Sequence, residues 1–110
     1  MTLREKQSKH VEMIAQLILW ATSNGYELTW GDAFRDHRLH GSVGEKKGYG
    51  HAKSCHKLRL AVDLNLFKDG KFLTDGSGHD ELHAYWVSLG GAPMINGDAN
   101  HYSLEWEGMR

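Results

Sequence analysis

At 110 residues, with 13 basic and 14 acidic side chains and a formal charge of −1, the chain has room for one modest core and one domain over 1–110. Neither sign of charge forms a long block, which argues against a nucleic acid or an anionic membrane surface as partner. The longest apolar run, residues 17–21, is far too short to insert in a bilayer, and the amino terminus lacks the regions of a secretory signal, so synthesis in the cytoplasm is expected.

In chain order, residues 2–24 carry a helical period, with Val11, Ile14, Ile18 and Ala21 along one stripe and Leu17 and Trp20 beside it. Thr2 with Glu5 three residues on forms a capping box, and Gly25 can end the helix. "YELTW" then alternates Tyr26, Leu28 and Trp30 against polar neighbours, as a half-buried strand does. From residue 31 to 53 the apolar period disappears into a glycine-rich loop. It contains no phosphate-loop pattern, so its expected role is to shape or cover a site. Residues 61–67 return to strand character, and "KDGKF" signals a two-residue hairpin through Asp69-Gly70 into a strand over 71–74.

"SGHDELHAYWVSLGG" reads as a second helix capped by Ser77, with Leu82, Tyr85, Trp86 and Leu89 on one face. A last strand alternates Tyr102, Leu104 and Trp106. Helix, strands, helix and strand without regular alternation predict an α+β fold, a small antiparallel sheet with packed helices.

Two of the eight histidines make a decoy. In "HDELH" His79 and His83 share a helix face, but the glutamate of a zinc-protease helix must directly follow the first histidine, and Glu81 stands one place late. The pair is expected to be a solvated surface feature.

"SCHKLRLAVDLNLF" is more informative. His56 and Asp63 are seven apart, so in an unbroken strand their side chains would face opposite ways. They can meet one ion only if residues 57–60 break the strand; Val62, Leu64 and Leu66 would then face the core, with Asp63, Asn65 and Phe67 on the other face. "GDANHYSLEW" offers a third ligand, His101, with Asp98 three residues before it. Two imidazoles and one carboxylate on zinc leave a fourth position for water, a hydrolytic arrangement in which Asp98 is the general base. The same residues also admit a plainer account. Asp98 can be a turn residue, His101 a half-buried strand histidine, and Asp63 a partner for Lys or Arg.

"SCHKLRLAVD" resembles the S-x-H-x-x-G-x-A-x-D signature of zinc peptidases that cut peptidoglycan stem peptides, the D-alanyl-D-alanine carboxypeptidase and L-alanyl-D-glutamate endopeptidase family with the Hedgehog/DD-peptidase fold. Ser54, His56, Ala61 and Asp63 match, Arg59 stands where the family has glycine, and "DANH" is similar to the family's acid-x-x-His element. The resemblance covers roughly residues 28–106. It implies that His56, Asp63 and His101 hold Zn2+ and that Asp98 activates water. It further implies that an upstream arginine contacts the scissile carbonyl or the substrate backbone. Arg35 is the best positional match and Arg38 the substitute, with pairing to Asp32 or Asp36 as the plainer role for Arg35.

The resemblance thus implies a metallopeptidase acting on the bacterial stem peptide as a monomer. An aspartate rather than a glutamate at 98 resembles phage endolysins that cut L-Ala-D-Glu, which implies access to the cell wall after the membrane is permeabilised. A carboxypeptidase removing a terminal D-Ala and a non-catalytic peptide-binding module are the alternatives. Ser54 and Tyr102 are candidate substrate contacts, and Tyr49, Trp86 and Trp106 either line a groove or pack in the core. His37, His40 and His51 are loop histidines within reach of an acidic peptide. Cys55 is not expected to be a ligand.

Overall fold

The computed structural model describes residues 1–48, 51–74 and 76–110. Helix α1 runs over Leu3–Ser23, followed by β1 (Glu27–Trp30), a single helical turn α2 (His37–His40) and a 3-10 turn over Cys55–Leu58. Then come β2 (Ala61–Lys68), β3 (Lys71–Phe72), α3 (His79–Ser88) and β4 (His101–Ser103). The architecture is α+β, with a four-stranded antiparallel sheet. Among the described residues no helix is long and apolar enough to cross a membrane.

Strand β2 is the axis of the sheet. Its second half pairs with β1, Glu27 opposite Phe67 through Trp30 opposite Leu64. On its other edge β3 pairs at the far end, and β4 at the start, with Ala61 opposite Ser103 and Asp63 opposite His101. As expected, Val62, Leu64 and Leu66 are buried while Asp63, Asn65 and Phe67 are only partly covered. The Asp69-Gly70 link is a two-residue turn with both residues at positive φ, 53° and 76°, the conformation that matches the twist of a hairpin.

The core joins Met13, Ile14, Leu17 and Ala21 of α1 to Leu64 and Leu66 of β2, Leu82 and Trp86 of α3, and Tyr102. The capping box at Thr2 and Glu5 forms as read. The buried stripe is rotated from the expected one, because His10, Met13, Ile14, Leu17 and Ala21 face inward and Val11 is 69% exposed. A histidine replaces valine on the inner face because its Nε2–H finds the Tyr102 carbonyl, 3.1 Å away. Trp30, at the end of β1, is likewise exposed.

Helix α3 is capped by Gly78 and not by Ser77. Gly78 adopts φ 76°, and a Cβ there would lie 2.9 Å from Leu73 and Tyr26 and 3.0 Å from Leu66. The chain thus enters α3 through a left-handed, tightly packed residue that only glycine serves well.

Candidate metal centre

His56 sits in the 3-10 turn that separates it from β2. Ser54 caps that turn, its hydroxyl accepting from the His56 amide at 3.2 Å. The turn closes at Arg59, which takes the left-handed conformation (φ 56°, ψ 34°). Sheet pairing of this segment starts at Ala61, so residues 57–60 do break the strand and turn the chain back on itself. Arg59 tolerates the glycine-like backbone with its guanidinium stacked over the Phe34 ring, 4.0 Å from the centroid.

Asp63 and His101 are brought together by register. The Asp63 amide donates to the Asp32 carbonyl at 2.7 Å and its carbonyl accepts from the Gly31 amide at 2.8 Å, both on the β1 side. Toward β4, Asp63 and His101 are therefore a non-hydrogen-bonded pair, the closer of the two cross-strand spacings. Gly31 is what lets the neighbouring backbone lie so near, since a Cβ at 31 would stand 2.9 Å from the Asp63 Cβ.

Three donor atoms converge. His56 Nε2 is 3.0 Å from Asp63 Oδ1, His101 Nδ1 is 3.0 Å from His56 Nε2, and His101 Nδ1 is 3.6 Å from Asp63 Oδ1. The His56 Nδ1–H donates to the Ala33 carbonyl at 2.7 Å, which turns the Nε2 lone pair toward the cluster. Three lone-pair atoms facing one another in a buried site call for a proton or a cation between them. Tetrahedral donors at the usual zinc–nitrogen distance stand about 3.3 Å apart, and the observed separations bracket that value. This His56–Asp63–His101 group could hold a metal ion.

Burial alone would raise the Asp63 carboxyl. With a proton shared among the three atoms, the hydrogen bonds and positive charge of the His101 and His56 imidazoles outweigh it and hold the group at about 2, so the carboxylate is ionised. The Ala33 carbonyl serves His56 as the outer partner that orients a ligand ring. His101 Nε2 has no such partner among the described residues.

Asp98 lies beside this group, with Oδ2 3.7 Å from His101 Nδ1, and its side chain is 46% exposed. It borders two cavities. One of about 630 Å³ is also lined by Arg35, His51, Lys53, Ser54, His101 and Arg110. The other, of about 230 Å³, is lined by Asn65, Thr74, Gly97 and Asn100 among others. Asp98 thus belongs to the lining of both.

Arg35 faces the larger cavity with a side chain only 11% exposed, its Nε 3.8 Å from Asp32 Oδ2 and its amide bonded to the His56 carbonyl at 3.1 Å. Arg38 points elsewhere, paired with Asp36 at 2.6 Å in the open. Ser54 borders the cavity while capping the turn under His56. Tyr102 corrects the expectation of a substrate contact: its ring is wholly buried and its Oη meets His79 Nδ1 at 2.6 Å. Trp86 is core, and Trp106 packs on the small cluster of Cys55, Leu60 and Ala61. Tyr49 lies outside the described residues.

Cys55 is buried, its thiol pushed up to about 11 by desolvation and donating to the Leu104 carbonyl at 3.4 Å, and it stands outside the His56–Asp63–His101 group. His51 reaches the cavity, whereas His37 is exposed beside Asp36 and His40 lends its carbonyl to the Lys57 ammonium. That ammonium also bonds the carbonyls of Ser42 and Glu45, tying down the glycine-rich loop.

The expectation of a solvated His79 and His83 is overturned. They are 2% and 4% exposed and face Tyr102 and the 98–101 turn. Their i, i+4 spacing gave the shared face; what it hid was that this face turns inward, beside Leu82 and Trp86. Gly31 had a readable signal, a glycine at the end of a strand, which often marks close backbone approach. The Ala33 carbonyl had none, because a main-chain acceptor leaves no trace in residue type.

Comparison of the chain with protein-family models, with curated proteins and with solved structures finds no match to any of them.

Proposed function

We propose that this chain is a zinc-dependent peptidase that cuts bacterial peptidoglycan stem peptides, at the L-Ala-D-Glu bond, in the manner of a phage lysis enzyme. The observation that carries the reading is the convergence of His56 Nε2, Asp63 Oδ1 and His101 Nδ1 at 3.0–3.6 Å with the Asp98 carboxylate 3.7 Å from the last of them. The likeness of "SCHKLRLAVD" and "DANH" to the stem-peptide peptidases directs it to this substrate.

His56, Asp63 and His101 would hold the ion. The chemistry supplied by a bound zinc is Lewis acidity toward a carbonyl oxygen and an attacking water. Asp98 takes the water's proton on a carboxylate oxygen and hands it to the nitrogen of the leaving amine. Its half-exposed setting beside the ligands suits a group that exchanges protons with substrate. Arg35, largely shielded in the cavity wall, donates from its guanidinium to the carbonyl oxygen as negative charge develops there. Lys53 and Arg110 line the same cavity with Glu107 and Asp98, and these two cations are the groups there that can pair with the carboxylates of an acidic stem peptide. Asp98 borders both cavities, and a peptide cut at an internal bond needs room for residues on either side of that bond.

Mass spectrometry of purified muropeptides incubated with the protein tests this directly, with chelated and zinc-restored samples alongside. Release of the peptide beyond L-Ala, abolished by chelation and recovered with zinc, is the expected result. Loss of only a terminal D-Ala makes the protein a carboxypeptidase, and unchanged masses with zinc bound make it a binding module.

A further inference from the structure

Three buried histidines outside the proposed ligand set, His10, His79 and His83, meet the short segment that carries Asp98 and His101. His83 donates its Nε2–H to the Ala99 carbonyl at 2.7 Å, and its ring lies flat on that of Tyr102, 4.2 Å between centroids and 11° between planes. His79 Nδ1 bonds the Tyr102 hydroxyl, and His10 Nε2–H the Tyr102 carbonyl. Both helices thus grip the segment, α1 through His10 and α3 through His79 and His83.

Ala99 is the critical point of that grip. It lies between Asp98 and His101 in a turn closed by the Asp98 amide to the Ile95 carbonyl (3.0 Å) and the His101 amide to the Asp98 carbonyl (3.2 Å). A carbonyl only accepts, so the His83 proton sits on Nε2 and leaves Nδ1 bare. That Nδ1 is buried without a partner among the described residues, a cost that an apolar side chain at 83 would avoid. The return on that cost is the bond to Ala99.

We propose that His83 is a positioning residue: its hydrogen bond to the Ala99 carbonyl sets the turn that holds Asp98 and His101 beside one another at the ion site. This rests on the reading of His101 as a ligand and Asp98 as the base. The bond acts at one remove, fixing the main chain between the two side chains instead of touching either.

Two substitutions separate the bond from the packing. His83→Phe keeps an aromatic ring on Tyr102 and removes the donor; His83→Gln removes the ring and keeps a donor near the position of Nε2. Zinc affinity by chelator competition is expected to fall about tenfold or more in the Phe variant, with kcat lowered, KM little changed, and the His101 amide exchanging faster in metal-free protein. The Gln variant is expected to stay within a few-fold of the unsubstituted chain on all of these.

A Phe variant with undiminished zinc affinity and an equally slow His101 amide overturns the proposal, as does a folded Gln variant that loses as much as Phe. If the Phe variant does not fold, the folded Gln variant decides: retained affinity supports the bond, a tenfold loss overturns it. An unsubstituted chain that takes up no zinc refutes the metal reading instead, and the His101 amide exchange of the metal-free proteins still judges His83.

Discussion

At the scale of single residues, Asp98 and Arg59 make the sharpest tests. Asp98 Oδ2 lies 3.7 Å from His101 Nδ1 and outside the three-residue group, so it can be removed without removing a proposed ligand. Asp98→Ala is expected to lower kcat on muropeptides by about 10²–10⁴, the usual worth of a positioned general base. Zinc uptake should persist, measured by chelator competition on the same preparation. A binding module would keep its ligand affinity and have no turnover to lose. Arg59 carries the other test, of the bend that lets His56 and Asp63 meet. A non-glycine residue in the left-handed region costs roughly 1–2 kcal/mol, and the Phe34 stack returns on the order of 0.5–1 kcal/mol. Arg59→Ala keeps the strain and loses the stack, so urea melts should find it roughly 1 kcal/mol less stable than Arg59→Gly. Equal stability of the two would show that the turn is not strained at 59.

At the scale of elements, the sequence was legible wherever one local rule decides the outcome. The capping box at Thr2, the Asp69-Gly70 hairpin and the alternation of β2 each depend on residues within a few positions of one another, and each is found. The meeting of His56 with Asp63 was legible because period-two alternation forbids it without a bend. Which face of a helix turns inward is decided by partners far away in sequence. For that reason the apolar period of α1 points wrongly to Val11, and local spacing leaves the inward turn of the His79/His83 face of α3 hidden. The inward turn of α3 has a measurable consequence. Desolvation pushes His79 down to about 4, and it lowers His10 and His83 as well. A histidine whose pKa falls on folding binds fewer protons in the native chain than in the unfolded one, between the two values. Stability therefore rises with pH across that window. It should be fully present above about pH 6.5 and fall as the pH drops toward 4, with His79 contributing on the order of 3 kcal/mol at the most. Urea melts of metal-free protein at pH 7.5, 5.5 and 4.5 would follow this loss, and His79→Gln should flatten the slope. Stability that stays level from pH 7 to 5 would put these histidines in contact with water after all.

For the whole molecule, the site and the core share one strand. Val62, Leu64 and Leu66 tie β2 into the helices while Asp63, on its other face, pairs with His101 of β4. The side chains that could hold an ion come from the 3-10 turn, β2 and β4, with 45 residues between His56 and His101, so an ion bound by all three would be a cross-link the unfolded chain cannot make. Binding should then stabilise the native state by RT ln(1 + [L]/Kd), about 4 kcal/mol at a free zinc concentration a thousand times Kd. For a domain of this size that is a rise of roughly 15 °C in Tm. The gain should track free zinc when it is set by a chelator buffer, and substitution of any one ligand should remove most of it. Because imidazole and carboxylate bind the ion only when deprotonated, the rise should also shrink as pH falls, on top of the loss from the buried histidines. Asp98→Ala should leave it nearly intact, since that carboxylate acts beside the site and does not close it. A Tm that ignores zinc while His56→Ala still lowers it would mean that the three side chains are a buried hydrogen-bond network and nothing more.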